Sequence, residues 1–248
     1  MNNEIIVGRH PVAEAIRSGR EINKIWINKQ SQALSHELMR TAKERQVTIQ
    51  FVPKQRLEQI TGTAQNQGIA ASVAAHRYAM IDDLFKKAEE AGASPFFIML
   101  DGLEDPHNLG SILRTADAVG AHGVIIPKQR AVGLTSVVAK ASTGAIEYIP
   151  VTRVTNLART MDELKERGVW FIGTDANGEQ DYRQIDGDMA LCLVIGSEGK
   201  GLSRLVRDKC DFLTRIPMAG KVTSLNASVA AALLMYEIYR NREPLSDT

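Results

Sequence analysis

The chain has 248 residues, of which 44% are hydrophobic and 24% charged, and a formal net charge of +1. That balance is ordinary for a globular protein, and no apolar run approaches the length of a membrane span, which excludes a transmembrane chain. Two cysteines, Cys192 and Cys210, exclude a disulfide framework. They have no metal-ligand partners at sensible spacing, so no metal is expected. With an N-terminus that lacks a signal-peptide pattern, these features imply a cytoplasmic protein.

In chain order, Gly8-Arg9-His10-Pro11 reads as a turn entering a helix over Val12 to Ile16. Strands follow over Ile22–Ile27, Val47–Val52 and Gly68–Ala74, with helices over Ser35–Arg45 and Lys54–Ile60 between them. This is a small α/β unit, assigned to residues 1–75. Residues 76–94 carry the charged helical run Asp82–Glu90, which ends at Gly92, and are read as a linker. The second unit, 95–248, opens with the continuous apolar run Phe96–Asp101, suited to a strand covered on both faces. A helix over Leu109, Ile112, Leu113, Ala116 and Val119 ends at Gly120. Further strands are expected at Gly123–Ile126, Ile146–Val151, Val169–Thr174, Met189–Ile195 and Phe212–Ile216, with helical patterns between most of them. The alternation predicts a parallel sheet with helices on both faces. Leu225, Val229, Leu233 and Tyr236 form the apolar stripe of a closing helix.

The glycine-bearing loops in the last fifth of the chain are the most informative local feature. Gly196, Gly199 and Gly201 run in the reverse order of a dinucleotide fingerprint. Gly220-Lys221 sits in a context where Arg215 and Val222 replace the glycine and hydroxyl of a phosphate loop, so both assignments fail. In an α/β sheet, ligands sit outside the carboxyl ends of the strands. Three segments meet that condition: Glu104 to Ser111 with Arg114 beyond it, Gly196 to Gly199, and Pro217 to Gly220 with Ser224-Leu225-Asn226. From them come the candidates Arg114, Glu198, Asn108, Asn226 and Ser224. A net charge of +1 neither advertises nor excludes nucleic-acid binding, because local distribution decides. Basic residues gather near the N-terminus and again between Lys200 and Lys221.

Asp105-Pro106-His107-Asn108-Leu109-Gly110-Ser111-Ile112-Leu113-Arg114, Ile195-Gly196-Ser197-Glu198-Gly199-Lys200-Gly201, and Ile216-Pro217-Met218 with Ser224-Leu225-Asn226-Ala227-Ser228 resemble the three signature motifs of the SpoU/TrmH RNA 2′-O-methyltransferases. The N-terminal Gly8–Ile16 and Asn66–Ala71 segments resemble that family's small RNA-binding domain. The resemblance implies a C-terminal trefoil knot, S-adenosylmethionine as methyl donor, and a homodimer whose interface lies beside the cofactor. It implies Gly196, Ile216 and Leu225 as cofactor contacts, with Met218 and Thr174 as neighbours. It implies Arg114 as the group that acts on the ribose 2′-hydroxyl. A guanidinium is effectively always protonated, so Arg114 serves either as a base in an unusual environment or as a binder of phosphate and alkoxide. Glu198 either caps a turn or orients Arg114 or Asn108. Asn108 and Asn226 suit holding the ribose and the methionine end of the donor, and Asn226 and Ser224 are equally candidates for helix capping. His107 stays unassigned. Arg9, His10 and Arg20 are expected to meet substrate RNA. The resemblance implies a guanosine in 23S ribosomal RNA, free or in a pre-ribosomal particle, as the target. A transfer-RNA enzyme and a non-catalytic RNA-binding protein on the same fold are the rivals.

Overall fold

The computed structural model describes residues 3–18, 20, 22–31, 36–74, 77–221 and 224–243. Ser35, His76, Val222 and the tail 244–248, which bound or enter several expectations above, lie outside the described residues. In chain order the elements are β1 (Asn3–Val7), α1 (Arg9–Arg17), β2 (Ile22–Asn28), α2 (His36–Glu44), β3 (Thr48–Val52), α3 (Lys54–Thr61), β4 (Ile69–Ala74), α4 (Ile81–Glu90), β5 (Phe96–Asp101) and α5 (Pro106–Ala118). They continue with β6 (Gly123–Pro127), α6 (Ser136–Ala141), β7 (Val151–Val154), α7 (Leu157–Lys165), β8 (Trp170–Thr174), β9 (Gln180–Asp181), β10 (Leu191–Gly196), α8 (Arg204–Asp208), β11 (Phe212–Arg215) and α9 (Ala227–Arg242).

The chain divides into two units, one of Met1–Arg77 with Gly133–Tyr148 and one of Tyr78–Val132 with Ile149–Thr248. The first unit holds a four-stranded sheet ordered β1-β4-β2-β3, in which β4 runs antiparallel to β1 and β2 while β2 and β3 are parallel. Strand β1 was not expected, because only Ile5-Ile6-Val7 precede the turn at Gly8 and so short a run shows no period. Helix α1 buries Pro11, Val12, Ala15 and Ile16. The segment Gly133–Tyr148, far away in sequence, completes this unit. Glu147 pairs with Arg20 at 2.9 Å with both side chains under 10% exposed, and Tyr148 donates to Glu14. Gly144 adopts φ +102°, and a Cβ there would fall 2.2 Å from the Glu14 side chain.

The second unit is a seven-stranded, wholly parallel sheet ordered β7-β6-β5-β10-β8-β11-β9. Its centre is built from the two apolar runs, Phe96–Leu100 and Leu191–Ile195, all buried, as double-sided burial requires. Alternation then sorts the side chains. Phe97, Met99, Cys192 and Val194 join Leu157, Met161, Leu164 and Phe171 in one core cluster. Burial pushes the Cys192 thiol well up, and Cys210 up to about 12, so both are inert thiols at neutral pH.

Four expectations change here. Residues 78–94 are part of the second unit instead of a linker: Leu84 of α4 sits in the core cluster and Ala79 bridges Thr152. Residues 133–148 belong with the N-terminal unit, so neither unit is continuous in sequence. The strand expected over 146–151 is a 3₁₀ turn at Ala145–Glu147 followed by β7 at Val151–Val154, because Gly144 turns the chain and Glu147 is drawn to Arg20. In α9 the buried face is Ala227, Ala231, Leu234, Met235 and Ile238, whereas Val229, Leu233 and Tyr236 are exposed. The sequence of α9 is apolar nearly all round, so helical spacing fits two stripes and does not choose between them.

The far end of α9 is fastened by Arg242. Its guanidinium donates to the carbonyls of Gly187 (2.7 Å), Ser94 (2.7 Å), Met189 (2.9 Å) and Pro95 (3.3 Å), and it lies over the Phe96 ring.

Candidate active site

The site is assembled from three connections of the second unit. The first begins at Asp105, the N-cap of α5, whose Oδ1 accepts from the His107 amide at 2.8 Å, with Pro106 in the first helical turn. This places Asn108 in the first turn with its side chain buried, 5% exposed. Arg114 lies farther along α5 and is exposed, and among the described residues it has no ion pair or hydrogen bond. His107 is exposed, and only its main chain is used locally.

The second connection follows β10. Ser197 N donates to Gly201 O (3.1 Å) and Gly201 N to Ser197 O (2.9 Å), closing a tight loop in which Gly199 and Gly201 have φ of +76° and +66°. A Cβ on Gly196 would stand 2.2 Å from the Gly201 carbonyl carbon. The glycine at 196 is therefore required by the loop's own backbone. The loop projects Glu198 toward the other two connections.

The third connection reaches α9, where Asn226 is the N-cap. Its Oδ1 accepts from Ser228 N (2.9 Å) and Val229 N (3.3 Å). Its Nδ2 donates to Glu198 Oε1 at 2.6 Å and to Asn108 Oδ1 at 3.0 Å. Asn108 Nδ2 donates to the same Glu198 oxygen at 2.9 Å, and Ala227 N approaches it at 3.4 Å. Asn226 is thus the cap of α9 and, through its Nδ2, a member of the network. Glu198 orients Asn108 and Asn226 and has no bond to Arg114 among the described residues. Ser224 is exposed and is not the cap.

The register of the sheet sets the remaining residues in place. Thr214 pairs with Thr174, and Gly173 with Val194, so Thr174, Gly196 and Ile216 stand at the carboxyl ends of three neighbouring strands. Thr174 Oγ1 donates to Val194 O at 3.2 Å. Ile216 and Leu225 are half-buried and Met218 is 40% exposed, so apolar surface stays accessible at that edge. This suits a flat, uncharged ring bound against apolar side chains and main-chain polar groups. A donor of the S-adenosylmethionine type, which carries no phosphate, fits the set.

In the first unit, Arg9 and His10 are exposed at the start of α1, where Arg9 N donates to Gln67 Oε1 at 2.9 Å. Arg20 does not join them. Its guanidinium is spent on Glu147 inside the unit, so the expected RNA contact at Arg20 is replaced by a structural ion pair. Among the described residues there is no cluster of metal-ligating side chains and no helix long and apolar enough to cross a membrane.

A parallel α/β sheet with three loops meeting at its carboxyl edge is the place where α/β enzymes bind their ligands, and comparison with known proteins specifies the class. Residues 95–236 match the SpoU rRNA Methylase family, and residues 5–79 match the domain described as RNA 2′-O ribose methyltransferase substrate binding. The chain belongs to the SpoU rRNA methylase family. It is 59% identical to YacO of Bacillus subtilis, described as a candidate TrmH-family tRNA/rRNA methyltransferase, over 99% of this chain and 98% of that protein. Among solved structures it resembles the SpoU methyltransferase AviRb of Streptomyces viridochromogenes in complex with AdoMet (TM-score 0.82, 27% identity, 97% of this chain and 90% of that one). It also resembles an AdoMet-bound rRNA methyltransferase of Sinorhizobium meliloti (TM-score 0.81, 26% identity, 98% and 88%). The protein is thus a methyltransferase of the SpoU/TrmH class, and S-adenosylmethionine is the cofactor of that class.

Proposed function

We propose that this protein methylates the ribose 2′-hydroxyl of a guanosine in 23S ribosomal RNA, using S-adenosylmethionine. The observation that carries the reading is the Asn108–Glu198–Asn226 network, which ties all three sequence motifs together, with Arg114 exposed farther along α5 and without an ion pair or hydrogen bond among the described residues. Gly196, Ile216 and Leu225 would hold the donor, with Met218 and Thr174 adjoining, and the donor supplies an electrophilic methyl group. The 2′-hydroxyl is a weak acid, so its attack needs a group that stabilises the developing alkoxide. Arg114 supplies that charge and anchors the neighbouring phosphate, and the hydroxyl proton is released to solvent as the methyl is taken. Asn108 and Ser224 hold the ribose, while Glu198 fixes the amides of Asn108 and Asn226.

Ribosomal RNA is favoured over transfer RNA by the first unit. The solved rRNA methyltransferase aligns with 98% of this chain, whereas the Aquifex aeolicus TrmH/SpoU tRNA modifying enzyme aligns with 66%. The first unit would bind RNA through Arg9 and His10. The exposed stripe Val229, Leu233 and Tyr236 on α9 supports a homodimer, since contiguous apolar surface of this kind marks an interface. The trefoil knot implied by the motifs is part of the same reading.

The test is Arg114→Ala in the full-length protein. Turnover is expected to fall at least ~100-fold with cofactor affinity unchanged. Full retained activity would overturn the assignment.

A further inference from the structure

A depression opens at the carboxyl edge of the sheet, and the site described above does not use it. It has a volume of about 370 Å³ and shares Ser197, Lys200 and Gly201 with the β10 loop, but not Ile216, Met218 or Leu225. Four connections contribute to it, after β5, β6, β7 and β10, all within the second unit. Its volume lies in the range of ligand pockets.

The lining is divided by chemistry. Leu157 and Val206 are buried and Pro127 and Leu202 half-buried, and Leu205 stands 68% exposed. The cations at the rim are Arg130 and Lys200, both exposed and without an ion pair among the described residues. Arg130 also adopts φ +55°, a left-handed backbone that a non-glycine residue rarely takes, and such outliers gather at ligand-binding positions. Asn156 lines the same depression and caps α7 by accepting from Arg159 N at 3.1 Å. Of the two carboxylates, Asp101 is engaged with Ser203 N at 2.7 Å, and Glu104 is exposed.

The apolar side chains of Pro127, Leu202 and Leu205, the hydrogen-bonding edges and two cations without an ion pair among the described residues match the three parts of a nucleotide: base, base edge and phosphate. An inorganic anion would not need the apolar patch, and an apolar peptide would not need the cations. We infer that this depression binds a ribonucleotide adjoining the one that is methylated, with its phosphate between Arg130 and Lys200 and its base against Leu205. The inference rests on the proposed RNA substrate and extends it. Neighbouring nucleotides on a single strand would step across the Ser197–Gly201 loop, which lines this depression through Ser197, Lys200 and Gly201 and reaches Asn108 and Asn226 through Glu198.

The experiment uses the full-length protein with unmodified large-subunit ribosomal RNA as probe. It compares wild type, Arg130→Ala/Lys200→Ala and Leu205→Glu for RNA affinity at several salt concentrations, methyl-transfer kinetics and S-adenosylmethionine affinity. The double variant is expected to bind RNA about tenfold more weakly and to lose roughly 1.4 from the slope of log K against log salt, about 0.7 per cation on a single strand. KM for RNA rises while kcat at saturating RNA and cofactor affinity stay at wild-type values. Leu205→Glu raises the same KM without altering the thermal midpoint. If wild type methylates RNA and both variants match it in KM and salt slope, the subsite is overturned and the function stands. If wild type binds the cofactor but neither binds nor methylates RNA, both are overturned.

Discussion

Glu198 is the residue on which the geometry makes its sharpest demand. One of its oxygens accepts from Asn108 Nδ2 at 2.9 Å, Asn226 Nδ2 at 2.6 Å and Ala227 N at 3.4 Å. A hydrogen bond to an ionised group contributes ~1.5–3 kcal/mol, against ~0.5–1.5 kcal/mol for a neutral one. Glu198→Gln keeps an acceptor but removes the charge, so each of the two short bonds weakens by about 1 kcal/mol. Glu198 is largely exposed, and screening reduces the sum to roughly 1–2 kcal/mol. Glu198→Ala goes further by stranding the amide of Asn108, which adds about 1–3 kcal/mol.

The assay is a double-mutant cycle of Glu198→Ala and Asn226→Ala, read both in thermal unfolding and in methyl transfer. Coupling of about 1–2 kcal/mol is expected in each, because the pair shares one hydrogen bond and one partner, Asn108. For Glu198→Gln alone, kcat/KM should fall roughly 5–30-fold. Additive effects in both readouts, with Glu198→Gln turning over like wild type, would refute the network as the organiser of the site.

Other outcomes follow from features away from the site. Removing the donor to four carbonyls, Arg242→Ala should destabilise the fold by about 2–4 kcal/mol, seen as a fall in thermal midpoint of several degrees. Arg242→Lys should recover only part of it, since an ammonium lacks the planar fork. His122 accepts from Phe96 N at 3.0 Å, and burial, with Arg242 and Lys87 nearby, lowers its pKa to about 4. Its folded value lies below its unfolded one, so its contribution is complete above pH ~6.5 and is lost as pH falls toward 4, by up to about 2–3 kcal/mol. Denaturant titrations of His122→Asn, which keeps an acceptor, should show a flatter slope across that window. Leu233→Glu places a charge on the exposed stripe of α9 and should weaken self-association at least ~tenfold by analytical ultracentrifugation, with little change in unfolding midpoint.

The parts of the fold that were legible in the sequence are those where burial on both sides leaves an unbroken apolar run. Phe96–Leu100 and Leu191–Ile195 became the central strands β5 and β10. Where partners distant in sequence decide the structure, local pattern misled. Glu147 is held by Arg20, which turned an expected strand into a 3₁₀ turn and removed Arg20 from the RNA-facing set. Helix α9 satisfies two stripes at once, and only its packing shows that Leu234 and Ile238 face inward while Leu233 and Tyr236 do not. Within the site, Asn108, Glu198 and Asn226 were marked by their motifs, but their mutual bonds come from three chain segments. The depression lined by Arg130, Lys200 and Leu205 had no sequence signal, since its lining is drawn from four connections.

The most direct test supplies the purified protein with S-adenosylmethionine labelled in its methyl group and, separately, unmodified 23S ribosomal RNA and bulk transfer RNA, then maps the product by nuclease digestion. The account predicts alkali-resistant label at one guanosine of the ribosomal RNA and none on transfer RNA. Label confined to transfer RNA would contradict the substrate, and cofactor binding with no label on either RNA or on assembling large-subunit particles would contradict the enzyme itself.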